Sequence, residues 1–212
     1  HKSHQTLGGT EGLNDLILRN LQILRERYSA PDSLVQLYRK AVTTPSDIQE
    51  HLSTLRAYAA GVEVTEFGSR TGVSTTAFLF GKPQRLVSYD LTRSPEVTQL
   101  EQVAKTEGLN FQFVKADVRN VQIEETDVLF LDTWHVYEQV KIELQQASKV
   151  RKYIILHDTE TFGVRGETQG HEGIGKAISE FMASHPEWKV EATFTNNNGL
   201  TVLARKPLET GY

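Results

Sequence analysis

The sequence lacks cysteine, long apolar runs and any concentration of basic residues, and each absence excludes a class of protein. With no Cys among 212 residues, it has no disulfide framework, thiolate metal site or cysteine nucleophile. No apolar run approaches the roughly 20 residues that a membrane-spanning helix needs, so a soluble chain is expected. The net charge of -4 comes from well-mixed charges. Without a basic stripe to neutralise phosphates, a nucleic acid is not an expected partner.

The length allows one domain of ordinary size with an appended helical segment. The chain starts with His1 rather than Met, so its first residues are expected to be a tag remnant or the cut edge of a longer protein. Helical spacing of apolar residues over 12–28 and a shorter helical stretch over 31–40 predict an N-terminal helical extension, residues 1–44, before a main domain over 45–212. Thr44 as N-cap and Pro45 at the first position predict a helix as far as residue 60. The extension would suit a dimer or domain interface, so a homo-oligomer through these helices is one expected arrangement.

From residue 62 onward the patterns of strand and helix alternate. Strands are predicted at 62–67, 85–90, 111–114, 127–131 and 153–156, helices at 74–80, 95–107, 137–148 and 174–184, and closing strands at 188–195 and 199–204. The alternation predicts right-handed crossovers, and the turn Asn196 to Gly199 predicts a closing hairpin. The expected fold is a doubly wound, mostly parallel seven-stranded α/β sheet with a C-terminal antiparallel hairpin.

The run from Val62 to Ser74 is typical of a strand, a glycine turn and the start of a helix. Gly68 and Gly72 would let the backbone approach a ligand, and Asp90, at the end of the second strand, can accept hydrogen bonds from two ribose hydroxyls. A dinucleotide site would read G-x-G-x-x-G, so the spacing indicates a nucleoside cofactor instead. Any parallel sheet needs glycine turns, and it is Asp90 that favours the cofactor interpretation.

The E-x-G-x-x-x-G order from Glu66 to Gly72 resembles the signature of class I methyltransferases that use S-adenosylmethionine. The resemblance implies their Rossmann-like fold and that cofactor. Asp117, after the third strand, either faces the adenine together with Val118 or caps the next helix. The predicted cofactor-binding residues are Glu66, Gly68, Ser69, Arg70, Thr71, Gly72, Ser74, Asp90, Asp117 and Val118.

The fourth and fifth predicted strands end in groups that can do chemistry. Asp132 follows the fourth strand, His157 and Asp158 end the fifth, and His135 lies three residues beyond Asp132. Because ligands of open α/β sheets lie beyond the carboxyl ends of the strands, these side chains are expected to meet at one site. Asp is also a good helix N-cap, but two Asp residues expected at one site with a histidine nearby favour a functional role.

The D-x-x-H of Asp132 and His135, with the later pair His157-Asp158, resembles the metal-dependent O-methyltransferases of macrolide and rhamnosyl sugars and the related cephalosporin hydroxylases, over residues 46–205. The resemblance implies that Asp132 and Asp158 hold Mg²⁺ and that His135 is the general base. His157 stands where that group has a carboxylate. As a ligand it would shift the site toward Mn²⁺, Fe²⁺ or Zn²⁺, and it could instead be a core histidine.

The sequence thus predicts an S-adenosylmethionine-dependent O-methyltransferase acting on a hydroxyl of a small molecule or glycan, assisted by a divalent metal, and a cytoplasmic location. The glycine-rich loop 159–175 would be a substrate lid or a disordered excursion. Trp134 and Tyr137 would be core residues or a platform for the acceptor. The alternative functions are a metal-dependent hydroxylase or oxidoreductase on the same fold, or a non-catalytic module of a larger glycan-modifying protein.

Overall fold

The structure of this chain is a computed structural model that describes residues 19–20 and 33–207. The chain divides into two compact units, residues 1–32 and residues 33–212. In the first unit, residues 19 and 20 are helical, and the rest of the helix predicted over 12–28 lies outside the described residues. The second unit contains the sheet and every site considered below.

Seven strands form one sheet, as predicted. The strands are β1 Glu63–Phe67, β2 Arg85–Asp90, β3 Phe111–Lys115, β4 Thr126–Leu131, β5 Val150–His157, β6 Trp188–Phe194 and β7 Leu200–Arg205. Their order across the sheet is β3-β2-β1-β4-β5-β7-β6. The first five strands are parallel, and β7 runs antiparallel to β5 and β6. The predicted fold class, including the closing hairpin, is confirmed.

Helices cover both faces of the sheet. They are α1 Leu34–Thr43, α2 Leu52–Ala59, α3 Val73–Phe80, α4 Pro95–Thr106, α5 Tyr137–Glu143 and α6 Ile174–Ser184, with 3₁₀ turns at Gln49–His51, Val118–Asn120 and Leu144–Lys149. Helices α1 to α4 contribute to one apolar cluster, and α5 and α6 to the other. Strand β4 is buried at every position, as expected for a strand covered on both faces. Among the described residues, no helix is long and apolar enough to span a membrane.

The helix predicted to begin at Thr44 and Pro45 is wrong in its start. The backbone N–H of Thr44 donates to the carbonyl of Lys40 at 3.0 Å, so Thr44 closes α1 instead of opening a new helix. Pro45 comes next, as is common just beyond a helix C-terminus, because proline cannot continue the helix. The segment 44–48 is a turn, and the side-chain amide of Asn197 donates to its Ser46 carbonyl at 2.8 Å. This turn therefore lies beside the carboxyl ends of the strands.

The hairpin turn between β6 and β7 has three successive residues of positive φ, which are Asn197 (44°), Asn198 (71°) and Gly199 (92°). Asn and Gly tolerate this left-handed region, which explains the composition of the turn. A Cβ on Gly199 would also collide with the backbone of Glu160. The turn thus packs tightly against the start of the loop that follows β5.

Candidate functional site

A cavity of about 420 Å³ opens at the carboxyl edge of the sheet, beyond β1, β2 and β4. Six of the residues predicted for cofactor or metal line it, together with apolar side chains that the sequence did not single out, such as Tyr89 and Leu91. The predicted residues in its wall are Gly68, Arg70, Asp90, Asp117, Val118 and Asp132. We call this the first cavity.

Asp90 organises the glycine turn itself. Its Oδ2 accepts backbone N–H bonds from Ser69 at 3.0 Å and from Arg70 at 2.8 Å, and its Oδ1 accepts one from Thr92 at 3.0 Å. A carboxylate has about four lone-pair sites, and the fourth is occupied by a long contact from the Thr92 hydroxyl at 3.5 Å, which a ligand hydroxyl would have to replace. The sequence did not predict that Asp90 would hold the glycine turn, and its role in binding a cofactor stays a prediction.

Glu66 does not line the first cavity. It is fully buried, and its carboxylate accepts hydrogen bonds from the hydroxyls of Ser74, Thr75 and Ser88. Burial raises its pKa to about 7 even though these hydroxyls favour the charged form. The hydrogen bond from the Ser74 hydroxyl to Glu66 joins β1 to the start of α3 and so supports the glycine turn between them.

The fold itself requires glycine at position 68, apart from any approach of a ligand. Its φ is +86°, and a Cβ at this position would collide with the backbone carbonyl of Asp132. The backbone N–H of Gly68 donates to Tyr89 at 2.8 Å, and that of Asp132 donates to Phe67 at 2.9 Å. A larger residue at position 68 would thus displace Asp132, so Gly68→Val is not a selective test of cofactor binding.

Asp117 lines the first cavity, but its carboxylate pairs with Arg119. The guanidinium of Arg119 approaches to 2.6 Å, and the Arg119 backbone N–H donates to Asp117 Oδ1 at 3.0 Å. The hydrogen bonds from Arg119 lower the pKa of Asp117. Asp117 therefore caps the 3₁₀ turn and faces the cavity at once, so the two interpretations of its role are compatible.

A second cavity, of about 220 Å³, shares Gly68, Arg70, Asp132 and Thr133 with the first. The predicted residues Ser69, Thr71 and Ser74 line it, as does the turn 46–48. The hydroxyl oxygens of Ser46 and Ser69 are buried without a hydrogen-bond partner. Buried polar atoms usually have partners, so these two hydroxyls are exceptions in the wall of the cavity.

Beside the second cavity, Asp132, His135, His157 and Asp158 converge as the sequence predicted. The Oδ1 of Asp132 lies 3.2 Å from His135 Nε2 and 3.1 Å from His157 Nδ1. The Oδ2 of Asp158 lies 3.1 Å from His135 Nε2 and 3.4 Å from His157 Nδ1. We call these four side chains the acid–histidine cluster.

His157 has one ring nitrogen committed to the backbone. Its Nε2 lies 3.1 Å from the carbonyl oxygen of Asp47 and 3.3 Å from that of Asn197. Carbonyl oxygens only accept, so Nε2 carries a proton and Nδ1 faces the carboxylates. Burial lowers the pKa of His157, but Asp132 and Asp158 outweigh it and raise the pKa to about 10. His157 is thus part of the cluster and not an isolated core histidine.

His135 connects the cluster to the loop that follows β5. Its Nδ1 and its backbone N–H both lie 3.2 Å from Glu167 Oε2, and the Glu167 N–H donates to the His135 carbonyl at 3.0 Å. Its ring stacks on Phe162 with centroids 5.2 Å apart. Burial opposes protonation, but the neighbouring carboxylates, Asp132 first among them, raise the pKa of His135. Unlike His157, His135 lines the second cavity.

The loop 159–175 has a defined structure, so the disordered alternative is wrong. Its ends are joined by backbone bonds such as Gly173 N–H to Val164 O at 3.0 Å and Ile174 N–H to Phe162 O at 2.9 Å. A Cβ on Gly173 would collide with the carbonyls of Phe162 and Gly163. The glycines therefore allow the loop to pack on itself, and it lies against His135 with Glu167 pointing inward.

Sequence reasoning missed the contacts beneath Thr133. The Thr133 hydroxyl donates to Glu143 Oε1 at 2.5 Å, and the Gln139 side chain donates to the same oxygen at 2.8 Å. Burial raises the pKa of Glu143 to about 7, and its Oε2 has no partner. No motif marks Glu143, because its role depends on the packing of α5 under β4.

Trp134 lines the first cavity and is partly exposed. Its Nε1 donates to the hydroxyl of Thr168 at 3.0 Å.

No protein-family model and no curated protein sequence matches this chain. Solved structures do resemble it. The 1,6-didemethyltoxoflavin-N1-methyltransferase of Burkholderia thailandensis, with bound S-adenosylhomocysteine, aligns over 97% of this chain and 93% of its own with a TM-score of 0.58 and 14% identity. The magnesium protoporphyrin IX methyltransferase of Synechocystis aligns over 87% and 99%, with a TM-score of 0.58 and 14% identity. The N-methyltransferase NodS of Bradyrhizobium japonicum aligns over 83% and 100%, with a TM-score of 0.54 and 12% identity.

The fold is that of class I methyltransferases. At these identities the similarity establishes the architecture, while the narrower resemblance to sugar O-methyltransferases and cephalosporin hydroxylases stays a prediction.

The acid–histidine cluster fits a divalent cation. One ligand atom from each of Asp132, His135 and Asp158 lies within 4.8 Å of the others. Asp158 is 4% exposed, has a positive φ of 59°, and its Oδ1 is buried without a partner. A strained backbone that holds an unsatisfied carboxylate against a second carboxylate indicates a site that attracts positive charge.

Proposed function

We propose that this chain is an S-adenosylmethionine-dependent methyltransferase that methylates a hydroxyl of a small molecule or glycan, with a divalent cation at the acid–histidine cluster. The observation that carries the proposal is that the walls of the first and second cavities share Asp132, and that His135 lines the second. A cofactor in the first cavity and an acceptor near His135 would meet there. The methyltransferase fold of the solved structures supports the same function. The cytoplasmic location expected of such an enzyme stays a prediction.

The first cavity suits the adenosine part of the cofactor. Asp90 stands at the end of β2, where a ribose hydroxyl would replace the long contact from the Thr92 hydroxyl, while Val118 and Leu91 offer apolar surface for a base. The second cavity, lined by Ser69, Thr71 and Ser74, would take a polar group beyond the ribose. Of the predicted cofactor residues, Glu66 would act only by supporting the turn.

When bound, S-adenosylmethionine supplies a methyl group on a sulfonium, so the protein mainly has to align the acceptor and receive its proton. His135 would hold that proton at Nε2, the nitrogen that faces Asp132 and Asp158. Glu167 would keep the ring oriented through Nδ1. Proton transfer of this kind typically contributes about 10² to 10⁴-fold to the rate.

A divalent cation held by Asp132, Asp158 and His157 would supply Lewis-acid polarisation of the acceptor oxygen. The same cation would compensate the two carboxylates, which lie within reach of one another in a largely buried setting.

The test begins with calorimetric titration of the chain with S-adenosylhomocysteine, which should bind at one site. Incubation with methyl-labelled S-adenosylmethionine and a panel of hydroxylated acceptors should then yield a labelled methyl ether. In the variant His135→Gln, kcat should fall about 10²-fold or more with little change in S-adenosylhomocysteine affinity. His171→Gln is the matched control, because His171 contacts Glu138 and Trp134 outside the cluster.

Failure to bind S-adenosylhomocysteine would refute the proposal and favour a non-catalytic module. Cofactor binding with a methylated amine as the product would retain the methyltransferase and refute the hydroxyl acceptor. Iron-dependent hydroxylation of the same panel would favour the oxidoreductase alternative.

A further inference from the structure

We infer that His157 is itself a ligand of the cation and that the site therefore selects a transition metal such as Mn²⁺ or Co²⁺ over Mg²⁺. The inference deepens the proposed function and rests on its cation site. It depends on a division of roles between the two histidines of the acid–histidine cluster, which differ in accessibility and in how their rings are held.

His157 has no access to an acceptor. It is 1% exposed and lines neither cavity, whereas His135 lines the second cavity. A histidine that cannot meet the acceptor cannot take its proton, but it can coordinate an ion held between it and the carboxylates. The proton-accepting role thus falls to His135 and the ligand role to His157.

The backbone presents His157 in the tautomer that coordination needs. Its Nε2–H is directed at the carbonyls of Asp47 and Asn197, at 3.1 and 3.3 Å. Metal-binding histidines commonly donate their other ring N–H to such a partner, which fixes the ring and the tautomer. The carbonyl of Asn197 is available because the hairpin turn takes up three successive positive φ angles.

The spacing of the donor atoms fits His157 as well as His135, whose Nε2 lies 3.2 Å from Asp132 Oδ1 and 3.1 Å from Asp158 Oδ2, so burial and not spacing separates the two roles. His157 Nδ1 lies 3.1 Å from Asp132 Oδ1 and 3.4 Å from Asp158 Oδ2. Neighbouring ligands about 2.1 Å from a cation and at right angles are about 3 Å apart. The buried Asp158 Oδ1 without a partner is a second, independent sign that the carboxylate is arranged for an ion.

The donor set determines the preference. Mg²⁺ takes oxygen ligands almost exclusively, whereas imidazole nitrogen is favoured by Mn²⁺, Fe²⁺, Co²⁺ and Zn²⁺. A site of two carboxylates and one imidazole also has one negative charge fewer than a site of three carboxylates would have. Both changes weaken Mg²⁺ binding relative to transition metals.

The experiment compares metals in the chelator-stripped full chain by calorimetry. Wild type should bind Mn²⁺ and Co²⁺ with 1:1 stoichiometry and at least about tenfold more tightly than Mg²⁺. In His157→Asp, which restores a carboxylate, the preference should shrink or reverse. His171→Gln, the control, should retain the wild-type preference.

A measurement on the unaltered site avoids dependence on the folding of a buried variant. In the proton NMR spectrum of the Co²⁺-loaded chain, the Nε2–H of His157 should give a strongly shifted, slowly exchanging resonance, because that proton is buried against carbonyls. The resonance should persist in His135→Gln, which separates it from the Nδ1–H of His135.

Equal or tighter binding of Mg²⁺ by wild type would overturn the inference. So would an unchanged preference in folded His157→Asp, the absence of the shifted resonance, or no binding of any of these metals. Titration of the same preparation with S-adenosylhomocysteine distinguishes the failures. Normal cofactor binding would leave the methyltransferase proposal intact, and its loss would refute both.

Discussion

The two halves of the sheet edge differ in how their polar groups are satisfied. At β1 and β2, the carboxylate of Asp90 is bonded by backbone N–H groups of the glycine turn and of Thr92. At β4 and β5, Asp132 and Asp158 face histidine side chains, and one oxygen of Asp158 has no partner. In the first half, the carboxylate is satisfied by donors of the folded chain itself. The second is a concentration of charge that requires protons or a cation to balance it.

The difference teaches which half can be changed without losing the fold. Backbone bonds tie the Asp90 half to the chain path, so substitutions there affect structure and binding together. In the acid–histidine cluster, side chains contact one another, so a single substitution should affect the ion and the chemistry before the fold. The four predictions below test this contrast in order of decreasing effect.

Asp132→Asn should have the largest effect. Asp132 Oδ1 contacts both histidines, and burial of the carboxylate is outweighed by these contacts, which lower its pKa to about 2. Without that charge, Mn²⁺ binding in calorimetry should be lost, and with it any metal-dependent turnover. S-adenosylhomocysteine affinity should change by less than about tenfold, since one amide replaces one carboxylate in a large cavity wall. Loss of both affinities together would contradict the separation of the two halves.

The sequence predicted most of the residues at the carboxyl edge of the sheet, because strand ends and loops are determined by local sequence. The alternation of strand and helix, Gly68, Asp90 and the pair Asp132 and His135 follow from spacing alone. The role of Asn197 does not, because its carbonyl reaches His157 only once β7 has paired with β5. Thr44 was misassigned because a good N-cap residue also closes a helix when a proline follows. Local chemistry is readable in sequence, whereas contacts made by tertiary pairing are not.

Each half also contains a buried glutamate whose pKa is raised to about 7, Glu66 below the glycine turn and Glu143 below Thr133. An unfolded chain releases the proton of Glu66 near its ordinary value of 4.5. Between these values the folded protein retains a proton that the unfolded chain has lost, so stability falls as pH rises from about 4.5 through about 7. Glu66→Gln should remove about 3 kcal/mol of this pH dependence, measured by urea unfolding at pH 5 and pH 8.

Glu143→Gln is the matched comparison for Glu66→Gln. The Glu143 carboxylate has an unpartnered oxygen, while both oxygens of Glu66 accept hydroxyl donors. An amide should therefore be accommodated more easily at position 143, and its variant should be the more stable of the two at pH 5. If neither variant alters the slope of stability against pH, these carboxyl groups do not titrate in the neutral range.

Asp90→Asn should weaken cofactor binding and loosen the glycine turn at once. Hydrogen bonds to a charged acceptor contribute about 1.5 to 3 kcal/mol, so S-adenosylhomocysteine affinity should fall roughly 10- to 100-fold. Asp117→Asn is the control, because the Asp117 carboxylate is paired with Arg119 and should matter less to the ligand. Wild-type affinity in Asp90→Asn would remove Asp90 from the cofactor site.

Arg70→Asn should have the smallest effect, although Arg70 lies at the centre of the predicted cofactor motif. Its side chain is 78% exposed and pairs with Asp47 at 2.9 Å, an exposed ion pair of the kind that contributes at most about 1 kcal/mol. What the turn uses is its backbone, with a φ of 43° and an N–H bonded to Asp90. Asn tolerates this conformation, so thermal stability and S-adenosylhomocysteine affinity should remain close to wild type. Arg70→Val should lower both, because a β-branched residue is strained at positive φ. An equal loss of affinity in both variants would show that the ligand contacts the Arg70 side chain, and wild-type behaviour of both would show that the backbone at position 70 is not strained by a β-branched residue.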